Sequence, residues 1–314
     1  MHWLQRKFRK CLPTGLPRGP VMPEKPGAPL GSRRVQIIDS QVHCFDHPRP
    51  DMPWAVPSAA LHKSDGDEMA AAMAAVGVAG AIMVSPFSVY HFDRRFALAL
   101  GRTHPGPYGL VVPLDPDLPD LAETIGQWAA APGAVGIRLM LPRPAETSEA
   151  LASRLVQAAE AAGRHGLAVN LMCTGNLPLA AELARRCPDV QLVIDHLGLP
   201  TPFDEVPAAP FAALPQVLAL ARFPHVAIKV SGACALSHQP YPFADLWEPL
   251  ARVFDAFGLD RCLWGTDWTR TLALVSYAEA VDCFRTHPRL SDSDRAMLMG
   301  GAVERIYRWR PAPA

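Results

Sequence analysis

Eight short apolar runs alternating with eight longer, alanine-rich segments predict an α/β fold, a parallel (β/α)8 TIM barrel. The runs are nearly continuous in Val, Ile and Leu, as strands covered on both faces should be. The first run leads into Ile38-Asp39-Ser40-Gln41-Val42-His43. A doubly wound open sheet, the runner-up fold, usually carries a glycine-rich phosphate loop there. Size agrees as well: the alternation fills residues 35–314, room for one barrel of about 250 residues plus extras.

In chain order, the strand-like runs cover 35–39, 78–84, 108–113, 135–139, 167–172, 191–195, 225–230 and 262–264. The first helix starts near Ser64, where Ser64, Asp65 and Asp67 are available as caps and dipole partners. Further helices are expected over about 93–103, 118–130, 147–165, 178–186, 208–222, 243–257 and 275–286. Two of them end in Thr-His-Pro, at His104 and His287. Proline stops a helix and a histidine suits its negative end, so both are read as caps and not as ligands.

Composition narrows the function. The 314 residues are 49% hydrophobic, ample for a core, and no window of about 18 apolar residues suggests a membrane span. Thirty basic and 30 acidic side chains cancel, which argues against a whole-domain nucleic-acid footprint. The cancellation hides a split. Residues 1–34 hold eight Lys or Arg, one acid and six prolines, leaving 22 basic and 29 acidic residues for 35–314. Such a stretch reads as a flexible tail, with Met22 as an alternative start, and lacks the apolar run of a secretory signal. Seven scattered cysteines without a C-x-x-C pair suggest free thiols and a cytoplasmic protein.

Barrel chemistry sits where strands enter their following loops. Polar residues at those ends are Asp39, Gln41 and His43, then Ser85, Arg138, Asn170, Asp195 with His196, Lys229 with Ser231, and Asp267. A lone histidine at a strand end is more often a hydrogen-bonded structural residue, and a lone Asp can cap the next helix. Convergence changes that balance: two imidazoles and a carboxylate at one mouth are costly to bury unless they pair or bind something. His43, His196 and Asp267 are therefore the catalytic candidates. Gln41, Arg138, Asn170, Lys229 and Trp268 are candidates for holding substrate. Arg138 offers a rigid fork for a carboxylate, against the alternative that it pairs with a buried one. Lys229 stands evenly between holding substrate and snorkelling to a loop carboxylate. Tyr90 and His91 could reach the mouth, with His91 better read as a surface residue, and Trp54 and Trp264 are read as packing.

Asp39-Ser40-Gln41-Val42-His43, Gly136-Ile137-Arg138-Leu139, Asp195-His196-Leu197-Gly198 and Trp264-Gly265-Thr266-Asp267-Trp268 together resemble the amidohydrolase superfamily. More narrowly they are similar to its amidohydrolase-2 branch, which holds sugar-lactone hydrolases and 2-pyrone-4,6-dicarboxylate hydrolase. The resemblance runs over about 35–308, through Gly300-Gly301 and Glu304-Arg305-Ile306-Tyr307. It implies that Asp267 is the general base. Metal-dependent members begin His-x-His and often add a fifth-strand histidine; here Gln41 takes the first place and Ala168-Val169-Asn170-Leu171-Met172 has none. Thr269 and Ala302 replace a common proline and asparagine.

The expected function is metal-free, cofactor-free opening of a small carboxylated or sugar-derived lactone. General-base help is worth about 10²–10⁴-fold, which suits a reactive ester better than an amide. One alternative is a metal-dependent decarboxylase or amidase with a single Zn or Mn ion at His43, His196 and Asp267. Another is a non-catalytic binding barrel. The expected partner is a small-molecule substrate, with no nucleic acid and no membrane, and a homo-oligomer stays open.

Overall fold

The computed structural model describes residues 36–55, 64–202 and 204–312. The expectations for the tail at 1–34 lie outside the described residues.

One sheet of eight parallel strands runs in sequence order. The strands are β1 Ile38–Val42, β2 Gly80–Val84, β3 Tyr108–Pro113, β4 Ala134–Met140, β5 Ala168–Met172, β6 Leu192–Ile194, β7 Val226–Ser231 and β8 Cys262–Gly265. Around them lie α1 Gly66–Val76, α2 Phe87–Tyr90, α3 Arg95–Thr103, α4 Leu121–Ala129, α5 Glu149–Arg164 and α6 Leu177–Arg186. The outer set continues with α7 Leu214–Ala219, α8 Trp247–Phe257, α9 Tyr277–Arg285 and α10 Asp292–Ala296, and ends in α11 Ala302–Tyr307. Among the described residues no helix is long and apolar enough to cross a membrane.

Local chemistry sets the boundaries. Asp65 caps α1 in a capping box with Glu68, and Ser276 does the same for α9 with Glu279. His104 ends α3, its backbone N–H donating to Leu100 and its ring lying 2.9 Å from Asp67. His287 is not a cap: Thr286 closes α9, and the His287 ring stacks 3.6 Å above Trp247. Among the strands the largest shift from the sequence reading is β1, which runs to Val42 and does not end at Asp39; among the helices, α7 begins at Leu214 where one was expected from about 208. Polar side chains inside a barrel mouth look like a loop when only apolar content is read.

Closure depends on the seam between β1 and the segment after β8. Asp267 N–H donates to the Gln41 carbonyl at 2.9 Å and His43 N–H to that of Trp268 at 2.8 Å. The buried Asp39 carboxylate accepts from Gln41 N, Thr266 N, Thr266 Oγ1 and Tyr277 Oη. Gly265 allows this approach, because a Cβ there would sit 2.7 Å from Ser40 Oγ and 3.0 Å from Asp39 Oδ1.

Two apolar clusters result. The larger joins the outer strand faces to the helices. The smaller fills the barrel with Ile38, Ile82, Val84, Val111, Val193 and Leu263, against Val303, Ile306 and Tyr307 of α11. It leaves the opposite, C-terminal ends of the strands for polar groups.

Candidate active site at the C-terminal ends of the strands

The strand ends bring His43, His196 and Asp267 together. His43 follows β1, His196 sits in a tight turn after β6, and Asp267 lies two residues past β8. His196, Leu197 and Asp267 all adopt left-handed backbone, with φ of 51°, 57° and 58°. Such a residue costs of order 1–3 kcal/mol, and the surrounding packing must over-determine it. The Gly232 Cα supplies part of the room, since a Cβ on it would lie 3.3 Å from the Asp267 Cβ.

Asp267 is fully buried, and its oxygens are ringed by nitrogens and not clamped by short hydrogen bonds. His43 Nε2 stands 3.2 Å from Oδ1, while His196 Nδ1 and Arg270 Nε stand 3.5 Å and 3.8 Å from Oδ2. Burial pushes the carboxyl up, yet His196 and then His43 outweigh it and hold Asp267 below the usual carboxylate range. It is a carboxylate at neutral pH with lone pairs to use.

Hydrogen bonds assign the imidazoles. His43 Nδ1 donates to the Val84 carbonyl at 2.7 Å, turning Nε2 toward Asp267 and the Gln41 amide. Arg138 Nη2 donates to His196 Nε2 at 3.2 Å, so the His196 proton is on Nδ1, facing Ser231 Oγ at 3.0 Å and Asp267. Burial is the main cause that pulls His196 down to about 4, against the pull of Asp267 and Asp195, which leaves it neutral at pH 7.

Beneath the trio lies a layer centred on Asp195. Arg138 Nε donates to Oδ2 at 2.8 Å, Asn170 Nδ2 to Oδ1 at 3.0 Å, and Lys229 Nζ stands 3.2 Å from Oδ1. Lys229 also donates to Gln41 Oε1 at 2.6 Å. Burial would raise the Asp195 carboxyl, but Lys229 and Arg138 overrule it and hold it down at about 2. Burial also pulls the Lys229 ammonium down to about 8, less far than it would without Asp195.

This changes several expectations. Arg138 is committed to a buried carboxylate, the alternative weighed against substrate binding. Lys229 does not snorkel to a loop; its side chain is 0% exposed and pairs inside the barrel. Gln41 and Asn170 serve this layer, while Trp268 lies at the mouth, half-buried against Tyr277. Tyr90 packs on Phe96 and accepts the Asp46 N–H, and His91 is exposed. Trp54 donates to the Asp46 carbonyl, and Trp264 is fully buried.

Sequence reading assigns no part to Asp195, Ser231, Tyr307 or Arg270. Asp195 and Ser231 are among the polar strand-end residues picked out above, but strand-end position alone gave them no role. Tyr307 Oη donates to Asn170 Oδ1 at 2.8 Å from α11. Arg270 anchors Nη2 on the Thr201 carbonyl at 2.9 Å, three residues beyond Asp267. A cavity of about 240 Å³ opens among the loops after β6, β7 and β8, lined by Val206, Cys234, Tyr241, Phe243 and Leu274 among others.

The family model described as Amidohydrolase matches residues 38–309. The chain is 28% identical over 280 residues to an L-fucono-1,5-lactonase of Burkholderia ambifaria, covering 86% of this chain and 95% of that one. The corresponding enzyme of Burkholderia multivorans is 32% identical over 149 residues, covering 41% of this chain and half of its own length. The 4-sulfomuconolactone hydrolase of Hydrogenophaga intermedia is 30% identical over 209 residues, covering 64% of each. Among solved structures, an amidohydrolase from Burkholderia multivorans with bound zinc superposes with a TM-score of 0.68 at 23% identity, covering 87% of this chain and 99% of that one.

Proposed function

Since the chain belongs to the Amidohydrolase family, we propose that it is a hydrolase that opens a small carboxylated or sugar-derived lactone with water activated by Asp267. The relatives named as lactonases and a sulfomuconolactone hydrolase support the reaction class. The observation that carries the mechanism is the buried, ionised Asp267 carboxylate facing three nitrogens at 3.2–3.8 Å.

Asp267 takes a proton from water as the oxygen attacks the lactone carbonyl carbon. The His196 Nδ1–H, set by Arg138 behind it and lying beside Asp267, serves as the neutral donor for the developing oxyanion. Collapse of the tetrahedral intermediate breaks the ring C–O bond. The proton held by Asp267 passes to the leaving alkoxide, directly or through His43 Nε2. One water is added, the product is a hydroxy acid, and Asp267 returns to its carboxylate.

The donors do not suit a catalytic metal ion as they are arranged. His43 Nε2 and Asp267 Oδ1 are two plausible ligands, whereas such sites normally need three. His196 presents a protonated Nδ1, because Arg138 occupies its other nitrogen. The Gln41 carbonyl oxygen is taken by Lys229. Among the described residues no three His, Cys, Asp or Glu side chains are placed to hold an ion. No step is therefore routed through a metal.

Asp267→Asn should lower lactone turnover by about 10³-fold or more while circular dichroism stays unchanged. Protein dialysed against chelator, with metal content measured, should keep its rate. Near-full activity in Asp267→Asn removes Asp267 as base, and rate restored only by added zinc or manganese restores the metal-dependent alternative.

A further inference from the structure

We propose that Ser231 is a further catalytic residue of the mouth, its hydroxyl donating to the oxyanion that forms on the lactone carbonyl. This rests on the lactonase reading above. A serine oxygen 3.0 Å from a histidine nitrogen usually signals a nucleophile and its base. Here the polarity runs the other way. The Arg138 guanidinium has only N–H groups to offer, so His196 Nε2 accepts and Nδ1 carries the ring proton. That N–H faces Ser231 Oγ, and the serine oxygen accepts it. His196 therefore has no lone pair with which to take the Ser231 proton.

Because the oxygen accepts, the hydroxyl hydrogen is left for another group. Ser231 is buried, and among the described residues its Oγ has no second hydrogen-bond partner. The hydroxyl is thus the open end of a chain of donors that starts on Asp195 and passes through Arg138 and His196. Each bond in such a chain polarises the next, so accepting from His196 makes the Ser231 O–H a stronger donor. Its place suits an oxyanion. Ser231 is the last residue of β7, and the His196 nitrogen it accepts from is also 3.5 Å from Asp267 Oδ2. The next residue, Gly232, packs against Asp267, where a Cβ would lie 3.3 Å from the Asp267 Cβ. An oxyanion seated beside Asp267 draws on the Ser231 O–H as well as on the His196 N–H.

The simpler role for Ser231 is to hold the His196 ring, which would affect every substrate of the site equally. δ-Valerolactone and its thiono analogue, with C=S in place of C=O, separate the two roles, because sulfur is a weak hydrogen-bond acceptor. Ser231→Ala should lower kcat for δ-valerolactone by roughly 10²-fold with KM little altered, as loss of one oxyanion donor does. The thionolactone should lose far less, so the oxo-to-thiono ratio of kcat/KM should fall by roughly tenfold or more. Ser231→Thr, which keeps the hydroxyl, should recover most of that ratio. Equal losses on both substrates overturn the inference and leave the lactonase reading intact. Labelling of Ser231 by a fluorophosphonate would make it a nucleophile and also overturns it. Where wild type opens neither of the pair, binding of isotope-labelled δ-valerolactam decides the donor assignment. Its carbonyl stretch should lie at higher frequency on Ser231→Ala than on wild type; an unchanged band, or no binding to wild type, overturns the inference. Where muconolactone and gluconolactone are not opened either, the lactonase reading falls separately.

Discussion

Asp267 and His196 owe their protonation states to what faces them. His196 is neutral because burial and the Arg138 donor disfavour a second proton, and Asp267 is ionised because two imidazoles and a guanidinium outweigh its burial. Acid should disable this arrangement first at His196: below about 4 the ring gains a proton on the nitrogen that faces Arg138. At the alkaline end Lys229 loses its charge near 8 and Asp195 loses a partner. The kcat/KM profile, corrected for spontaneous ring opening, should be level in between and fall on both sides. Lys229→Arg, which stays charged, should move the alkaline limb upward, and a limb that stays in place assigns it to another group. The trio was legible in the sequence because each member stands at a strand end. The partner of Arg138 was not, since a carboxylate 57 residues away decides whether the guanidinium meets substrate or the barrel floor.

The elements show the same division. Seven strands lie within a few residues of their apolar runs, because period and composition decide a strand buried on both faces. The first was misplaced toward its N-terminus, since Asp39 and Gln41 belong to it but serve the seam and the mouth. That seam carries its own prediction. The Thr266 hydroxyl donates to Asp39 Oδ2 at 2.6 Å, so Thr266→Val should cost about 1–3 kcal/mol in urea unfolding. Burial raises the Asp39 carboxyl to about 6 against the four donors it accepts from. A carboxyl raised on folding favours the native state at low pH, and that contribution fades as pH rises from its ordinary 3.8 through about 6. The ionised form needs its donors most, so the cost of Thr266→Val should be larger at pH 7.5 than at pH 5. An equal cost at both would show that Asp39 stays in one protonation state.

Across the whole molecule, a column of buried polar groups joins the two ends of the barrel: Gln41, Lys229, Asp195, Asn170 and, on α11, Tyr307. Its members come from three strands, the turn after β6 and one helix, so only the fold reveals it. Tyr307→Phe should cost about 1–2 kcal/mol in stability. Because Asn170 steadies Asp195, and Asp195 steadies the Arg138 that sets His196, the same change should lower kcat severalfold with KM little altered. Loss of stability with kcat intact would confine Tyr307 to packing.

The placement of α11 also has a consequence in time. Tyr307 is 137 residues downstream of its partner Asn170. During synthesis all eight strands leave the ribosome while the barrel floor still lacks the hydroxyl that Asn170 accepts from. A nascent chain halted just short of this helix would hold every candidate site residue and still have its interior hydrogen bonding incomplete. The Asn170 side of the interior network is thus completed by a helix at the far end of the barrel.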